Sequence, residues 1–309
     1  MCSNMRRESA GTRRPRQHHA DIGLAVAGGA SAVRYIQKKK HGPALLVAIV
    51  AVLLGIWFLT PVADWAADAV VSTIPIAEDR AIGARAIAAQ RYRVLFDSNA
   101  DRVARIGAKL ARSGGASMAD FMWDFKVIDE DFVNAFAFPG GFIFVTDELV
   151  KLCATDSELA AVIGHEMGHV NRRHAQRRLV KDSFAAFMLQ VLTYDDGDEH
   201  RESFGQAVGE LLLKQAASLG SLAFSRSHEY EADDTGWRLL VKAGADPRGM
   251  RSFFQKLLRL EGSDGHTSWE STHPGTRDRI KALEAKWGDL PASTRRRLST
   301  SSGFFDLVV

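Results

Sequence analysis

The segment Thr155–Val170, TDSELAAVIGHEMGHV, constrains the fold more than any other part of the chain. Thr155 and Glu158 stand at capping-box spacing, in which a hydroxyl and a carboxylate each satisfy a free backbone N–H. The apolar run Ala160–Ile163 follows, so the pattern predicts a buried helix that carries the histidines and continues to Arg178. Residues four apart share a helix face, which puts His165 and His169 on one side. Two buried imidazoles without partners are costly. A shared metal ion resolves that cost, and Glu166 is placed to take a proton from an attacking water.

A catalytic zinc site needs a third protein ligand and an open position. The metzincin extension does not supply it, because Arg172 and Ala175 occupy the positions where a glycine and a third histidine would stand. His174 is one residue out of register, about 140° around the helix from His169. Ser225–Asp233, SRSHEYEAD, offers another solution. Glu229 and Asp233 are four apart on one helix face, so the first could ligate zinc while the second hydrogen-bonds a ligand histidine and fixes its tautomer.

The 309 residues, 46% hydrophobic and 25% charged, allow one sizeable core or at most two domains. Cys2 and Cys153 are the only cysteines, which excludes a disulfide-stapled scaffold. The net charge of +3 is an uneven average: residues 1–43 carry +7 and the remainder −4. That distribution argues against a basic nucleic-acid-binding body. Immediately after Lys38–Lys40 comes a charge-free stretch, Gly42–Ala63, with the apolar core Ala44–Leu59. A helix of ~20 apolar residues spans a bilayer once. The basic flank then puts residues 1–43 on the cytoplasmic or matrix side and the body opposite, with Trp57 and Trp65 at the far interface. The pre-apolar segment is too long for a signal-peptide n-region, so an uncleaved anchor is expected. Ala67-Asp68-Ala69 has the small-x-small form of a cleavage site, and the Arg-rich start also fits an organellar transit peptide.

Around the motifs, Ala77–Arg112 reads as helix in two pieces parted near Asp97–Asn99. WDFKVIDED, NAFAF and FIFVT read as short strands, the last two joined at Pro139-Gly140-Gly141. Further helices are predicted at Ser203–Leu222, Ser227–Ala243, Pro247–Leu260 and Thr276–Trp287, before a loose polar tail.

With NAFAFPGGFIFVT ahead of them, the motifs AAVIGHEMGHV, SRSHEYEADDTG and THPGTRDRI resemble the zinc metallopeptidases that include the CAAX prenyl endopeptidase and HtpX. The resemblance runs from Ile74 to Trp287. It implies an α+β, mainly α, gluzincin-type domain holding one Zn2+ per chain. His165, His169 and Glu229 would be its ligands, Glu166 the general base, and Asp233 the orienter of a ligand histidine. One anchor is unlike the multi-span members and is similar to the single-anchor quality-control members of mitochondria and the bacterial periplasm.

The organisation expected is therefore a basic targeting segment at 1–43, a transmembrane anchor at 44–63, a zinc metallopeptidase domain at 74–287 and a polar tail at 288–309. The function expected is a membrane-anchored zinc metalloendopeptidase acting on misfolded or membrane-proximal polypeptides. His273 and Arg279 are candidate catalytic donors to the developing oxyanion, and His273 is alternatively a fourth zinc ligand that holds the site closed. An extended substrate could pair with the edge of Phe142–Thr146, so Phe142, Ile143 and Phe144 are candidate substrate-binding residues. A different class stays open: an anchored binding or chaperone-like module with a structural zinc. A prenyl-protein-processing enzyme would need a chamber built of several spans. The leading location is the mitochondrial inner membrane facing the intermembrane space, the other a bacterial inner membrane facing the periplasm. Self-association into a homo-oligomer stays open.

Overall fold

A computed structural model describes residues 62–192, 223–261 and 269–300. Nearly all of the expected anchor, the basic segment before it and the expected helix at Ser203–Leu222 lie outside these residues. Among the described residues, no helix is long and apolar enough to cross a membrane.

Residues 62–73 form α1, followed by α2 (Ile76–Ala88), β1 (Val94–Leu95), α3 (Ser98–Gly114) and the single turn α4 (Ala116–Ala119). Strands β2 (Asp124–Ile128), β3 (Ala135–Phe138) and β4 (Phe142–Thr146) come next, then α5 (Asp147–Leu152), α6 (Asp156–Asn171) and α7 (His174–Leu192). Beyond residue 222 the chain forms α8 (Arg226–Ala243), α9 (Arg248–Glu261), the single turn α10 (Trp269–Thr272), α11 (Thr276–Asp289) and α12 (Ala292–Ser299).

The capping box is present, with Thr155 and Glu158 each accepting from the other's end of the first turn. Glu158 also accepts from the Lys256 ammonium at 2.6 Å, so the same carboxylate ties the start of α6 to α9. Every residue of α6 from Glu158 to Val170 is buried, among α3, α8, α9 and the sheet. This all-round burial is what an apolar helix with two flanking glycines and no charged stripe requires.

The strand order is β1-β2-β4-β3, with β2 and β4 parallel and the other pairs antiparallel. β4 therefore lies inside the sheet, paired on both edges. The expectation of a substrate edge at Phe142–Thr146 fails because the parallel partner β2 comes from earlier in the chain and fills that edge. Ile143 is fully buried in the core, Phe144 packs among Tyr92, Phe136 and Phe138, and Phe142 lies under the Arg80 guanidinium at 4.2 Å. The turn is as expected, Gly140 and Gly141 adopting φ of +84° and +96°.

Three other expectations change. The helix from Ala77 ends at Ala88, and the chain is extended before Asp97 caps α3 by accepting from the Ala100 N–H at 2.9 Å. The active-site helix stops at Asn171 rather than Arg178, because Arg173 has φ +54° and α7 starts anew at His174. Its guanidinium is held by the Val71 and Ile74 carbonyls at 2.7 and 2.9 Å and by buried Asp79 at 2.6 Å. The polar tail contains α12, whose Leu298 is fully buried and whose Ser299 accepts from Arg248 at 3.0 Å.

α6 and α8 meet along small residues. A Cβ added to Gly168 would stand 2.7 Å from the Ala232 carbonyl oxygen, and one added to Gly236 would stand 2.9 Å from Gly164. Only backbone separates the two helices at these crossings. Gly168→Ala is expected to force them apart and to lower stability by about 1–3 kcal/mol. Chemical denaturation measures it, and a change below about 0.5 kcal/mol would mean that the contact is slack.

Candidate active site

The i, i+4 spacing on α6 and the close approach of α8 bring the sequence-selected donors to one buried point. His165 and His169 present Nε2 atoms 3.0 Å apart. Glu229, from the first turn of α8, places Oε2 3.3 Å from His165 Nε2 and Oε1 3.5 Å from His169 Nε2. His273 follows α10 and brings its Nδ1 to 3.3 Å from both His165 Nε2 and Glu229 Oε1. One ligand atom from each of the four residues lies within 4.8 Å of all the others, and all four residues are buried. A tetrahedral zinc with N ligands at 2.0–2.1 Å has ligand–ligand edges of about 3.3 Å. Neutral imidazoles and a carboxylate at these separations fit such an ion.

Asp233 lies beside the first histidine of the motif, its Oδ1 2.9 Å from His165 Nδ1, where an ionised carboxylate accepts from Nδ1–H. That bond puts the single proton of a neutral His165 on Nδ1 and leaves Nε2 bare toward the cluster. Arg279 does not face open space as an oxyanion donor. Its Nε and Nη2 each donate to Asp233 at 2.7 Å, and Nη1 reaches Glu229 Oε2 at 2.6 Å. The guanidinium is thus a buried clamp across both α8 carboxylates, with its face on Phe254. Phe224 stacks on His169 at 4.0 Å and Trp269 on His273 at 4.2 Å, closing the walls. Neither aromatic was singled out from sequence. Trp269 sits four residues before His273, a helical spacing that could have flagged it.

Glu166 is fully buried on α6, and neither carboxylate oxygen has a hydrogen-bond partner among the described residues. The nearest ring nitrogen is His273 Nε2, 3.5 Å from Oε1. Burial raises the Glu166 pKa against the pull of His273 and His165. Burial lowers His169 well below the usual imidazole range. Glu229 is held well below the carboxylate range despite its burial, by His273, His165 and Arg279. Asp233 is lowered in the same way, with Arg279 the main opponent of burial. For His165, burial and Arg279 work against a charge, but the hydrogen bonds to Asp233 and Glu229 prevail and push it up to about 9.

That last shift has a sign that can be checked. A pKa raised to about 9 keeps a proton on His165 at neutral pH when no cation is bound. A metal must displace it, so zinc affinity should rise about tenfold per pH unit up to about pH 9 and level off above. Chelator-competition titrations between about pH 7 and 10 measure this; a flat affinity below about pH 9 would contradict it.

The sequence profile of peptidase family M48 matches residues 97–286, a span containing every residue of the cluster. The mitochondrial metalloendopeptidase OMA1 of Arabidopsis thaliana is 35% identical over 173 residues, covering 56% of this chain and 33% of the relative. The metalloprotease LoiP of Escherichia coli (strain K12) is 34% identical over 164 residues, covering 52% of this chain and 61% of LoiP. The beta-barrel assembly-enhancing protease of the same strain is 32% identical over 149 residues, covering 43% of this chain and 28% of the relative. The chain spans less than two thirds of the length of each of these relatives.

Proposed function

Since the chain belongs to peptidase family M48, a family of zinc metallopeptidases, we propose that it is a membrane-anchored zinc metalloendopeptidase of protein quality control. Its substrates on this reading are misfolded or membrane-proximal polypeptides. The observation that carries the reading is Glu166, a buried carboxylate without a hydrogen-bond partner among the described residues, beside a four-donor cluster. A structural metal site has no use for such a group, and burying it costs stability.

Zinc held by His165, His169 and Glu229 would supply Lewis acidity to the scissile carbonyl and make a water acidic enough to attack near neutral pH. Glu166 takes the proton of the attacking water and delivers it to the departing amine nitrogen. Its raised pKa suits both halves of that transfer, since the carboxylate must hold a proton between the two events. Asp233 and Arg279 keep His165 and Glu229 in place, so the donors need not reorganise during the reaction.

On this reading His273 is a fourth ligand rather than an oxyanion donor, because its Nδ1 is 3.3 Å from both His165 Nε2 and Glu229 Oε1, as close as those two residues are to each other. It would then stand where an open catalytic position is needed, and must swing away before turnover. A second feature supports a closed resting form. Outer strand β3 runs beside α6, yet its four residues are all buried, so a peptide adding there must displace what covers them. Four protein donors also suit a structural zinc in a binding module, and this is the competing reading.

For the whole protein, the proposed anchor is 44–63, with the catalytic domain opposite the basic segment. The Arabidopsis relative is named mitochondrial, which supports a mitochondrial location, and within it the inner membrane facing the intermembrane space is our proposal. The relatives from Escherichia coli keep a bacterial inner membrane facing the periplasm as the alternative proposal.

Glu166→Gln should abolish casein cleavage while zinc stays near one per chain; full cleavage by the purified variant would refute the mechanism. His273→Ala should keep zinc and raise cleavage several-fold, whereas on the structural-zinc reading it loses zinc and gains no activity. Metal analysis and casein hydrolysis on the same preparations separate these outcomes.

A further inference from the structure

His169 has a second contact, on the side away from the cluster. Its Nδ1 lies 2.9 Å from Nδ1 of His174, which is completely buried at the start of α7. Two ring nitrogens that close share one proton, and the ring that owns it decides what His169 can do. If the proton belongs to His169, the neutral ring has a bare Nε2 aimed at the cluster. If it belongs to His174, His169 carries its own proton on Nε2 and cannot bind a cation there.

The far side of His174 settles the choice. Its Nε2 faces Glu231 Oε2 at 3.4 Å, and the Arg177 guanidinium stands 3.6 Å from that same oxygen. An anionic carboxylate can only accept, so the His174 proton sits on Nε2 and its Nδ1 is left as an acceptor. His228 stacks on His174 at 4.3 Å and 13°, fixing the ring plane in which both bonds are made. Within the cluster, His165 Nε2 approaches His169 Nε2 at 3.0 Å, which also requires a bare nitrogen on one ring.

We propose that His174 is a positioning residue that holds His169 in its Nδ1–H tautomer and so keeps Nε2 free for zinc. The two ligand histidines of α6 are then oriented by different means: His165 by a carboxylate directly, His169 by a neutral imidazole backed by Glu231. Glu231 belongs to the same helix as Glu229 and Asp233, so α8 supplies one ligand and governs the protonation of both histidines. Arg177 continues the line to Asp68 on α1 at 3.0 Å. The proposal rests on His169 being a zinc ligand.

The test compares the full-length chain in detergent with its His174→Leu and His174→Asn variants. Zinc affinity is read by competition with a chromogenic chelator, and imidazole tautomers by 15N NMR of the zinc-free parent. His174→Leu removes the acceptor and should weaken zinc binding about 10–100-fold. His174→Asn puts an amide oxygen near the lost Nδ1 and should restore affinity to within about threefold of the parent. A role limited to filling space would favour leucine over asparagine in this buried position. The proposal is overturned if the leucine variant binds zinc as tightly as the parent, or if the asparagine variant is as weak as leucine. It is equally overturned if His169 of the zinc-free parent carries its proton on Nε2, a result that does not depend on either variant folding. A parent chain that binds no zinc would overturn the metal site itself, a distinguishable outcome.

Discussion

Contact between the backbones of α6 and α8 is the constraint on which the site depends. Three of the cluster's four donors come from two helices about sixty residues apart in sequence, and a glutamate side chain is short. Glu229 reaches both imidazoles only because Gly164 and Gly168 meet Ala232 and Gly236 with no side chains between them. Interiors are packed too densely for a small extra group to be absorbed without a shift. The same contact sets Asp233 against His165 and brings Glu231 alongside His174. Small residues along one helix face thus act as a ruler for the metal site.

Burying so many charges makes the region expensive, and the cluster histidines together with Arg279 offset part of the cost. Without the arginine, Glu229 and Asp233 would be two carboxylates in a dry interior, an arrangement that proteins avoid by neutralising one of them. With it both remain ionised and rigid. Glu166 feels the nearby positive groups but has no hydrogen bond to them among the described residues. A fold that pairs Glu229 and Asp233 with Arg279 leaves both oxygens of Glu166 without a hydrogen bond among the described residues, a local cost at the candidate site.

Much of this site was legible because its signals are local. The capping box, the four-residue spacings of His165 with His169 and of Glu229 with Asp233, and the Pro-Gly-Gly turn follow from helix and turn geometry within a few residues. What was not legible depends on partners far along the chain. That β4 is an inner strand follows from its pairing with β2, and alternation within Phe142–Thr146 cannot reveal a second neighbour. The extended stretch with β1 is likewise set by pairing with β2. His174 failed as a zinc ligand by its angle on a continuous helix. The break at Arg173 turns it beneath His169 instead, and no glycine or proline marks that break. Arg279 was recognisable as important but not as a clamp, since that role depends on carboxylates about fifty residues earlier in the chain.

Arg173 carries a further consequence. Its left-handed backbone is unusual for a residue with a side chain and persists because surrounding acceptors over-determine it. Those acceptors, the Val71 and Ile74 carbonyls and the Asp79 carboxylate, all precede residue 97, where the family match begins. The turn is therefore held by residues that lie outside the stretch by which the family is recognised. A fragment trimmed to the matched residues would leave an arginine in a strained turn with its partners missing, one residue before His174. The bend that shapes the metal pocket is enforced from outside the recognisable domain, by the chain that leads into it.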